Sequence, residues 1–468
     1  MYLEQIVRRD IGCAAYLVGS TDEGEAAVVD PRLDMVDEIL ALLAREELRL
    51  RYIVETHSHA DHVSGHHQLA AATGAIIAVH ELTGAAYPHL PLHDGDELAL
   101  GEVRLRVVHT PGHRPEHIAL ALVDTSRGDL PWAVLTGDSL FIGDVARPDL
   151  AVDGQDGARA LYDSLHQRLL GLPDGTLVYP GHVAGSLCGR VNNRMTGTSI
   201  GFERGCNPAL AIADRTAFIA YMNESLPERP PNLARIVELN RGAAPPAVAT
   251  PPALDAARAR SLIDTDALLL DVRAPEAFGA GHVPGALTVW LDGTQFQNRV
   301  GLVIPAETPL VLVTARDADA ARVAAALSVI GYDRVAGYLA GGMHAWRAAG
   351  EPAATLPSVS PEALAADRAG VLVLDVRERS EWDEGHVPGA VHLPFYRLDR
   401  PLAGLAPDAP VAVICAGGQR SMVAASILRA RGFRDVRNVT GGIEAWEAAG
   451  LPLALPGDAA DAAEGVAA

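Results

Sequence analysis

Long apolar runs are missing from this 468-residue chain. No stretch approaches the roughly 18 residues that a bilayer-spanning helix needs, and Met1 to Asp10 holds no apolar core of the signal-peptide kind. The expectation is a soluble, cytoplasmic protein without a membrane partner. Cysteine is scarce as well. Cys13, Cys188, Cys206 and Cys415 are too few and too scattered for a disulfide framework, and reduced thiols in a reducing compartment are the simpler account. Basic residues are also short, with 38 Lys and Arg against 59 Asp and Glu and a formal charge of -21. That balance excludes nucleic acid as a principal partner, because its phosphates require a basic face. Small anions held by local arginines are compatible with it.

What the chain does have is apolar content of 49% and a length that, at about 150 residues per domain, suggests three globular domains. The polar groups with chemistry recur at predicted strand ends. Arg51 to Glu55 reads as a strand and runs into Thr56-His57-Ser58-His59-Ala60-Asp61-His62, followed by a helix start after Gly65. Three histidines and an aspartate within six residues on one turn place nitrogen and oxygen donors at one point, which is metal chemistry. Earlier strands are expected at Ala14 to Gly19 and Ala26 to Asp30, with a helix over Leu33 to Arg45 between them and the histidine turn. Leu98 to Thr110 alternates as a hairpin ending in Thr110-Pro111-Gly112-His113. The strand Trp132 to Leu135 ends in Thr136-Gly137-Asp138, and Leu177 to Tyr179 ends in Tyr179-Pro180-Gly181-His182. Pro208 to Asn232 reads as a closing helix.

These four motifs in this order resemble the metallo-β-lactamase superfamily, over about residues 1 to 240, and within it the persulfide dioxygenases and the related glyoxalase II hydrolases. The resemblance implies an αββα sandwich. For a persulfide dioxygenase it implies one Fe(II) per chain on His57, His113 and Asp138, no organic cofactor, and three open positions for substrate and O2. For a glyoxalase II it implies a second metal on Asp61, His62 and His182, with His59 on the first. Dioxygenases keep those four residues as groups that orient the ligands. The same resemblance assigns Arg147, with Asp149, to the neighbourhood of an anionic persulfide, and Tyr179 and Arg204 to the thiol substrate. Arg114 departs from the threonine usual at that position and leaves the carrier thiol open among glutathione, coenzyme A, cysteine and similar thiols. Cys188, in Gly185-Ser186-Leu187-Cys188-Gly189, is a candidate for relaying or positioning persulfide sulfur, set against an unreactive small residue.

A proline-rich linker over 241–252 precedes an internal repeat. Leu269-Leu270-Asp271-Val272-Arg273 recurs as Val373 to Arg377, and Gly281 to Ala286 as Gly385 to Ala390, both at an offset of 104. Gly341-Gly342-Met343-His344-Ala345-Trp346 recurs as Gly441 to Trp446 at an offset of 100. A period of this length is domain duplication. Alternating strands and helices argue a parallel sheet covered on both faces, and the motifs resemble rhodanese domains, at 253–354 and 357–453, with a disordered tail over 454–468. Asp375 and Arg377 read as a structural ion pair.

The second copy carries Cys415-Ala416-Gly417-Gly418-Gln419-Arg420-Ser421 between the strand Val411 to Ile414 and the helix Met422 to Ala430. A thiol at a strand end, with Gly417 and Gly418 turning backbone N–H groups inward before a helix N-terminus, is an anion cradle that favours thiolate and persulfide. Arg420 is the expected holder of sulfite or thiosulfate oxygens. Four residues separate Cys415 from Arg420, a narrower loop than in related phosphatases, which favours sulfur over phosphate. The first copy has Thr314 opposite Cys415 and no glycine cradle, so it is expected to be a spacer without catalysis.

The sequence therefore points to a bifunctional enzyme. An iron site would oxidise persulfide to sulfite, and Cys415 would move sulfane sulfur to sulfite or from thiosulfate. The alternatives are a binuclear thioester hydrolase joined to sulfurtransferase domains and a sulfur-carrier or sensing protein with a structural metal. The direction of transfer and the oligomeric state, a homo-oligomer included, stay open.

Overall fold

Two six-stranded sheets form the N-terminal part of the computed structural model, in which residues 1–183, 195–224, 226, 228–244, 248–398 and 406–456 are described. The first sheet runs in chain order through β1 (Tyr2–Arg8), β2 (Cys13–Ser20), β3 (Glu25–Val29), β4 (Arg49–Val54), β5 (Ile76–His80) and β6 (Leu90–Leu92). It is antiparallel from β1 to β3 and parallel from there on. The second sheet runs through β7 (Glu97–Leu100), β8 (Val103–His109), β9 (Ile118–Asp124), β10 (Ala133–Gly137), β11 (Leu177–Pro180) and β12 (Thr198–Ser199). Only β10 and β11 are parallel in it.

The two sheets pack face to face. Val18, Val29 and Val54 of the first share one buried cluster with Leu105, Leu120 and Leu135 of the second. Strand β2 is buried along all eight residues, as expected of a strand covered on both faces. Its outer cover is the helix Val36–Arg45, which turns Ile39, Leu42 and Leu43 onto Leu17, Val28 and Ile53. That spacing puts the three leucine-type side chains on one helical face. On the other side Leu161, Leu165, Phe218 and Met222 cover Ala119, Val134 and Val178. The result is the expected four-layer αββα sandwich.

Three edge elements, β1, β6 and β12, were not expected from the sequence, because their patterns are mixed and their burial partial. The closing helix over Pro208 to Asn232 needs correction. The helix there covers only Arg215–Asn223, capped by Asp214, whose carboxylate accepts the Ala217 N–H at 2.8 Å. Pro227, Pro230 and Pro231 lack the N–H a continuing helix needs. A second helix, Leu233–Arg241, follows.

The chain divides into two compact units, residues 1–247 with 326–331, and 248–325 with 332–468. The second holds two five-stranded parallel sheets. One comprises β13 (Ala253–Leu254), β14 (Leu268–Asp271), β15 (Leu287–Thr288), β16 (Leu310–Val313) and β17 (Val335–Leu339), in the order β13-β17-β16-β14-β15. The other comprises β18 (Ser358–Val359), β19 (Leu372–Asp375), β20 (Val391–His392), β21 (Val411–Ile414) and β22 (Val436–Val439), in the order β18-β22-β21-β19-β20. Identical strand orders make the duplication visible in three dimensions. In both copies the aspartate of the Asp-Val-Arg motif is fully buried and forks onto its arginine, Asp271 onto Arg273 and Asp375 onto Arg377. The same arginine then donates to the carbonyl of Gly281 or Gly385 and so pins the Gly-His-Val-Pro-Gly turn.

Ala454, the first residue of the expected tail, is an ordered part of the second rhodanese-like fold. Ala454 exchanges two backbone hydrogen bonds with His386, and residues 457–468 lie outside the described residues. No helix among the described residues is long and apolar enough to cross a membrane.

Candidate metal centre and cysteine cradle

The ends of β4, β8 and β10 bring His57, His113 and Asp138 together, with one ligand atom of each within 4.8 Å of the others. Their protonation states follow from their partners. The Arg147 carbonyl lies 3.0 Å from His113 Nδ1 and can only accept, so Nδ1 carries the proton and Nε2 offers its lone pair. The Thr56 hydroxyl spends its proton on Asp30 Oδ2 at 2.8 Å, so His57 Nδ1–H donates to Thr56 Oγ1 at 3.0 Å, and again Nε2 is left as a donor atom. Burial holds His57 well below the ordinary histidine range, with the neighbouring His59 adding to the effect. Burial also lowers His113, only partly opposed by Asp138. Burial alone would raise the Asp138 carboxyl, but His182 outweighs it and brings it down to about 2. Two neutral imidazoles and one carboxylate therefore face one another. His57 Nε2 and Asp138 Oδ2 are buried with no hydrogen-bond partner. Such orphans are costly unless a ligand takes them up, and a metal cation fits this donor set.

Of the four neighbouring ligand candidates, Asp61 and His182 are hydrogen-bonded to each other, whereas His59 Nδ1 and both nitrogens of His62 are buried with no hydrogen-bond partner. His59 Nε2 lies 3.1 Å from Asp30 and 3.3 Å from Glu55, and these carboxylates outweigh burial and raise the imidazole well above its ordinary value. His182 faces a carboxylate oxygen with each nitrogen, Asp138 Oδ1 at 2.7 Å and Asp61 Oδ2 at 2.9 Å, so it orients the metal-facing carboxylate. His62 Nδ1 lies 3.1 Å from the same Asp61 oxygen. Cys13, Asp61 and His62 also form a cluster of metal-ligating size. However, the buried Arg32 guanidinium donates to Cys13 Sγ at 3.2 Å, which puts a fixed cation where a second metal would add another. Burial raises the Cys13 thiol, but Arg32 outweighs it and brings the thiol down to about 7.

Several positioning residues escaped the sequence reading. Asp138 N–H donates to His117 Nε2 at 2.9 Å, which fixes the turn after β10, and burial takes His117 down to about 3, so it stays neutral. The signal was there in Thr-Pro-Gly-His-x-x-x-His. Asn240, on the last turn of Leu233–Arg241, donates to the carbonyls of His59 and His62 at 2.9 and 2.8 Å and accepts the Ser64 N–H at 2.8 Å. Its neighbour Arg241 bonds Ser58 Oγ and Glu116. This helix clamps the histidine turn, and nothing local in its sequence says so.

The residues assigned to substrate by resemblance fall in different places. Arg147 is buried beside the site, its guanidinium forked onto Asp149 at 2.7 and 2.9 Å. Asp149 also takes Arg229. Arg114 is committed to Glu116 at 2.8 Å. Tyr179 is half-buried on the inter-sheet core with its ring edge against Tyr16. Arg204 is exposed on the short helix Ile200–Cys206 and bonds Asp174 and the Leu170 carbonyl. Cys188 lies outside the described residues.

In the second unit Cys415 follows β21 and is almost fully buried. Gly418 N–H donates to its Sγ at 3.1 Å, from a backbone at φ +91° that favours glycine. The Ser421 hydroxyl lies 3.3 Å from the sulfur and donates to Asn438 Oδ1 at 2.6 Å. The following helix spans Gln419–Ala430, three residues earlier than expected, which places Arg420 in its first turn. Both guanidinium arms of Arg420 go to Glu381 at 2.6 Å, so its charge is already compensated. Ile443 N–H and Glu444 N–H close the loop from below by donating to the carbonyls of Cys415 and Ala416. In the first copy Thr314 holds the equivalent place at the end of β16, buried and with its hydroxyl unpartnered.

Residues 8–182 match the Metallo-beta-lactamase superfamily, and residues 255–349 and 360–449 each match the Rhodanese-like domain. The mitochondrial persulfide dioxygenase ETHE1 of Homo sapiens is 30% identical over 213 residues, 46% of this chain and 77% of that protein. A hydroxyacylglutathione hydrolase of Rhodospirillum rubrum is 34% identical over 172 residues, 36% of this chain and 60% of that protein. Among solved structures, a metallo-beta-lactamase from Staphylococcus aureus subsp. aureus COL is similar at 27% identity with a TM-score of 0.65. The likeness covers 73% of this chain and 98% of that one, so it extends beyond the N-terminal unit.

Proposed function

Because this chain belongs to the metallo-β-lactamase superfamily, as a homologue of the persulfide dioxygenases that carries two rhodanese-like domains, we propose that it is a bifunctional enzyme of persulfide oxidation and sulfane-sulfur transfer. In this reading residues 1–240 are the dioxygenase domain, 253–354 a rhodanese-like domain without a nucleophile, and 357–453 the sulfur-carrying one. One Fe(II) per chain is held by His57, His113 and Asp138. The net reaction is RSSH + O2 + H2O → RSH + sulfite + 2 H⁺. When bound, the iron supplies the redox chemistry by which O2 oxidises the outer sulfur.

The protein's own groups do the rest. Asp61 and His182 hold Asp138 in place, the Arg147 carbonyl and Thr56 keep both imidazoles in the ligating tautomer, and the Arg147 guanidinium, held by Asp149, is the group proposed to face an anionic persulfide. At the second site the Cys415 thiolate attacks the outer sulfur of thiosulfate. The S–S bond breaks, sulfite leaves with the electron pair, and the enzyme keeps a cysteine persulfide. The reverse step turns the first site's sulfite into thiosulfate. Gly418 N–H supports the charge on sulfur throughout.

The observation that carries the metal site is the pair of orphaned atoms, His57 Nε2 and Asp138 Oδ2, and the one that favours a single iron is the buried Arg32 guanidinium on Cys13, beside the Asp61 and His62 that a second metal would use. The hydrolase reading, favoured by the 34% identical glutathione-ester hydrolase, needs a second metal against the Arg32 cation. O2 uptake by chain reconstituted anaerobically with Fe(II), on adding glutathione persulfide or coenzyme A persulfide, tests the choice. Iron-dependent uptake, lost in His113→Ala, is expected. Two metals per chain with O2-independent thioester hydrolysis would replace the dioxygenase by the hydrolase.

A further inference from the structure

The domain that lacks a nucleophile reaches the cysteine site of its neighbour. Its helix Phe296–Val303 carries Arg299, buried to 8% exposure. One arm, Nη1, donates to Gln419 Oε1 at 2.7 Å, and Gln419 sits in the Cys415 loop next to Arg420. The other arm donates to Thr294 Oγ1 at 2.8 Å. Nε is buried with no partner, and no carboxylate pairs with this guanidinium among the described residues. The contact is anchored a second time where Thr288 N–H of β15 donates to Ser426 Oγ at 3.2 Å, on the helix behind Cys415.

The two arginines beside the Cys415 loop therefore differ in kind. Arg420 is the one with the motif position, yet its charge is spent on both oxygens of Glu381. Arg299 has no motif and keeps its full charge among neutral partners. Burial brings it down to about 10, with Arg420 adding to the effect and the Cys415 thiol opposing it, so the three groups feel one another. A buried, unpaired cation with a free N–H is unfavourable by several times the value of an ordinary hydrogen bond unless an anion meets it.

We propose that Arg299 is the anion-binding residue of the Cys415 site, supplied by the domain without a cysteine, and that it receives the oxygens of a dianionic sulfur oxoanion, thiosulfate or sulfite. This rests on the sulfur-transfer reading of Cys415 and assigns its specificity for sulfur oxoanions. The first rhodanese-like domain then has a chemical task and is more than a spacer. The arrangement also explains why Gln419 stands between the two arginines, since its neutral amide oxygen accepts from Arg299 without cancelling the charge that the substrate needs.

The test uses the full chain and two readouts. One is steady-state sulfur transfer from thiosulfate to cyanide. The other is protection of Cys415 from iodoacetamide by sulfite, followed on the Cys415 peptide by mass spectrometry. A charge-assisted contact of this kind corresponds to about tenfold or more in affinity. Arg299→Gln is expected to raise KM for thiosulfate at least about tenfold with a smaller change in kcat, and to remove sulfite protection. Arg299→Lys should recover most of both. Arg299→Met, which fills similar volume, replaces Arg299→Gln if that variant does not fold. An unchanged KM and unchanged protection in a charge-removing variant would overturn the assignment. Wild-type chain that transfers no sulfur from thiosulfate would instead remove the sulfurtransferase reading, and sulfite protection would still decide Arg299.

Discussion

The repeated Gly-Gly turn offers an internally controlled measurement of how the cysteine loop is held. Gly442 has φ +59°, and a Cβ added there would lie 2.1 Å from the Cys415 carbonyl oxygen and 2.3 Å from that of Ala416. The left-handed backbone alone costs an alanine about 1–2 kcal/mol. Relieving the collision separates the turn from the loop and breaks the Ile443 and Glu444 N–H bonds to those carbonyls, 2.8 and 3.1 Å long, at about 1 kcal/mol each. Gly442→Ala is therefore expected to cost about 3–4 kcal/mol locally. Gly342 is its counterpart at φ +55°, but a Cβ there meets only the Thr314 carbonyl, at an ordinary 3.5 Å. Gly342→Ala should cost only the backbone part, about 1–2 kcal/mol. The difference of about 2 kcal/mol is roughly thirtyfold in a local opening equilibrium. Hydrogen exchange followed by mass spectrometry on peptides covering 411–418 and 442–448, against 310–317 and 342–348, reads both numbers in the intact chain. Equal losses of protection in the two copies, or a Cys415 peptide unmoved by Gly442→Ala, would refute the claim that this turn holds the loop.

Four further outcomes are expected. His182→Ala, which releases Asp138 and Asp61 together, should weaken Fe(II) binding about 10–100-fold in chelator competition. Arg204→Ala should leave metal content and O2 uptake at the parent level and change stability by less than about 1 kcal/mol, since its Asp174 pair is exposed. Thr314→Cys should gain no thiosulfate sulfurtransferase activity in a Cys415→Ala background, because the Asp317 carboxylate already occupies the Gly341 N–H and no glycine turns an N–H toward residue 314. Burial alone would raise the Glu381 carboxyl, but Arg420 outweighs it and holds it below the ordinary 4.5. The folded value is the lower one, so the pair's contribution is present above about pH 4.5. It is lost as pH falls through the folded value, and Glu381→Gln should flatten that part of the Tm-against-pH curve.

How much of this was legible in the sequence depended on how far apart the interacting residues stand. His57, His113 and Asp138 each sit in a short motif at a strand end, and alternation or continuous burial marks β2, β4, β8, β9 and β10, so the sandwich could be read locally, while the candidate ligand set came from the family resemblance of those motifs. The state of each ligand could not be read locally. What holds His59 Nε2 is Asp30, at the end of a different strand. Whether Arg420 is free is decided by Glu381, 39 residues away. The clamp on the histidine turn comes from Asn240, nearly two hundred residues downstream in a helix that a proline-rich stretch hides from periodicity. Charge compensation is a property of pairs, and a pair joined by folding leaves no pattern at either position. Arg299 is the extreme case. It belongs to the copy that the missing cysteine marks as inert, and only its 2.7 Å bond to Gln419 connects it with the thiol site. Absence of a nucleophile from one copy of a duplicated domain therefore does not by itself mark that copy as inert, because its side chains can still pair with the loop of the other.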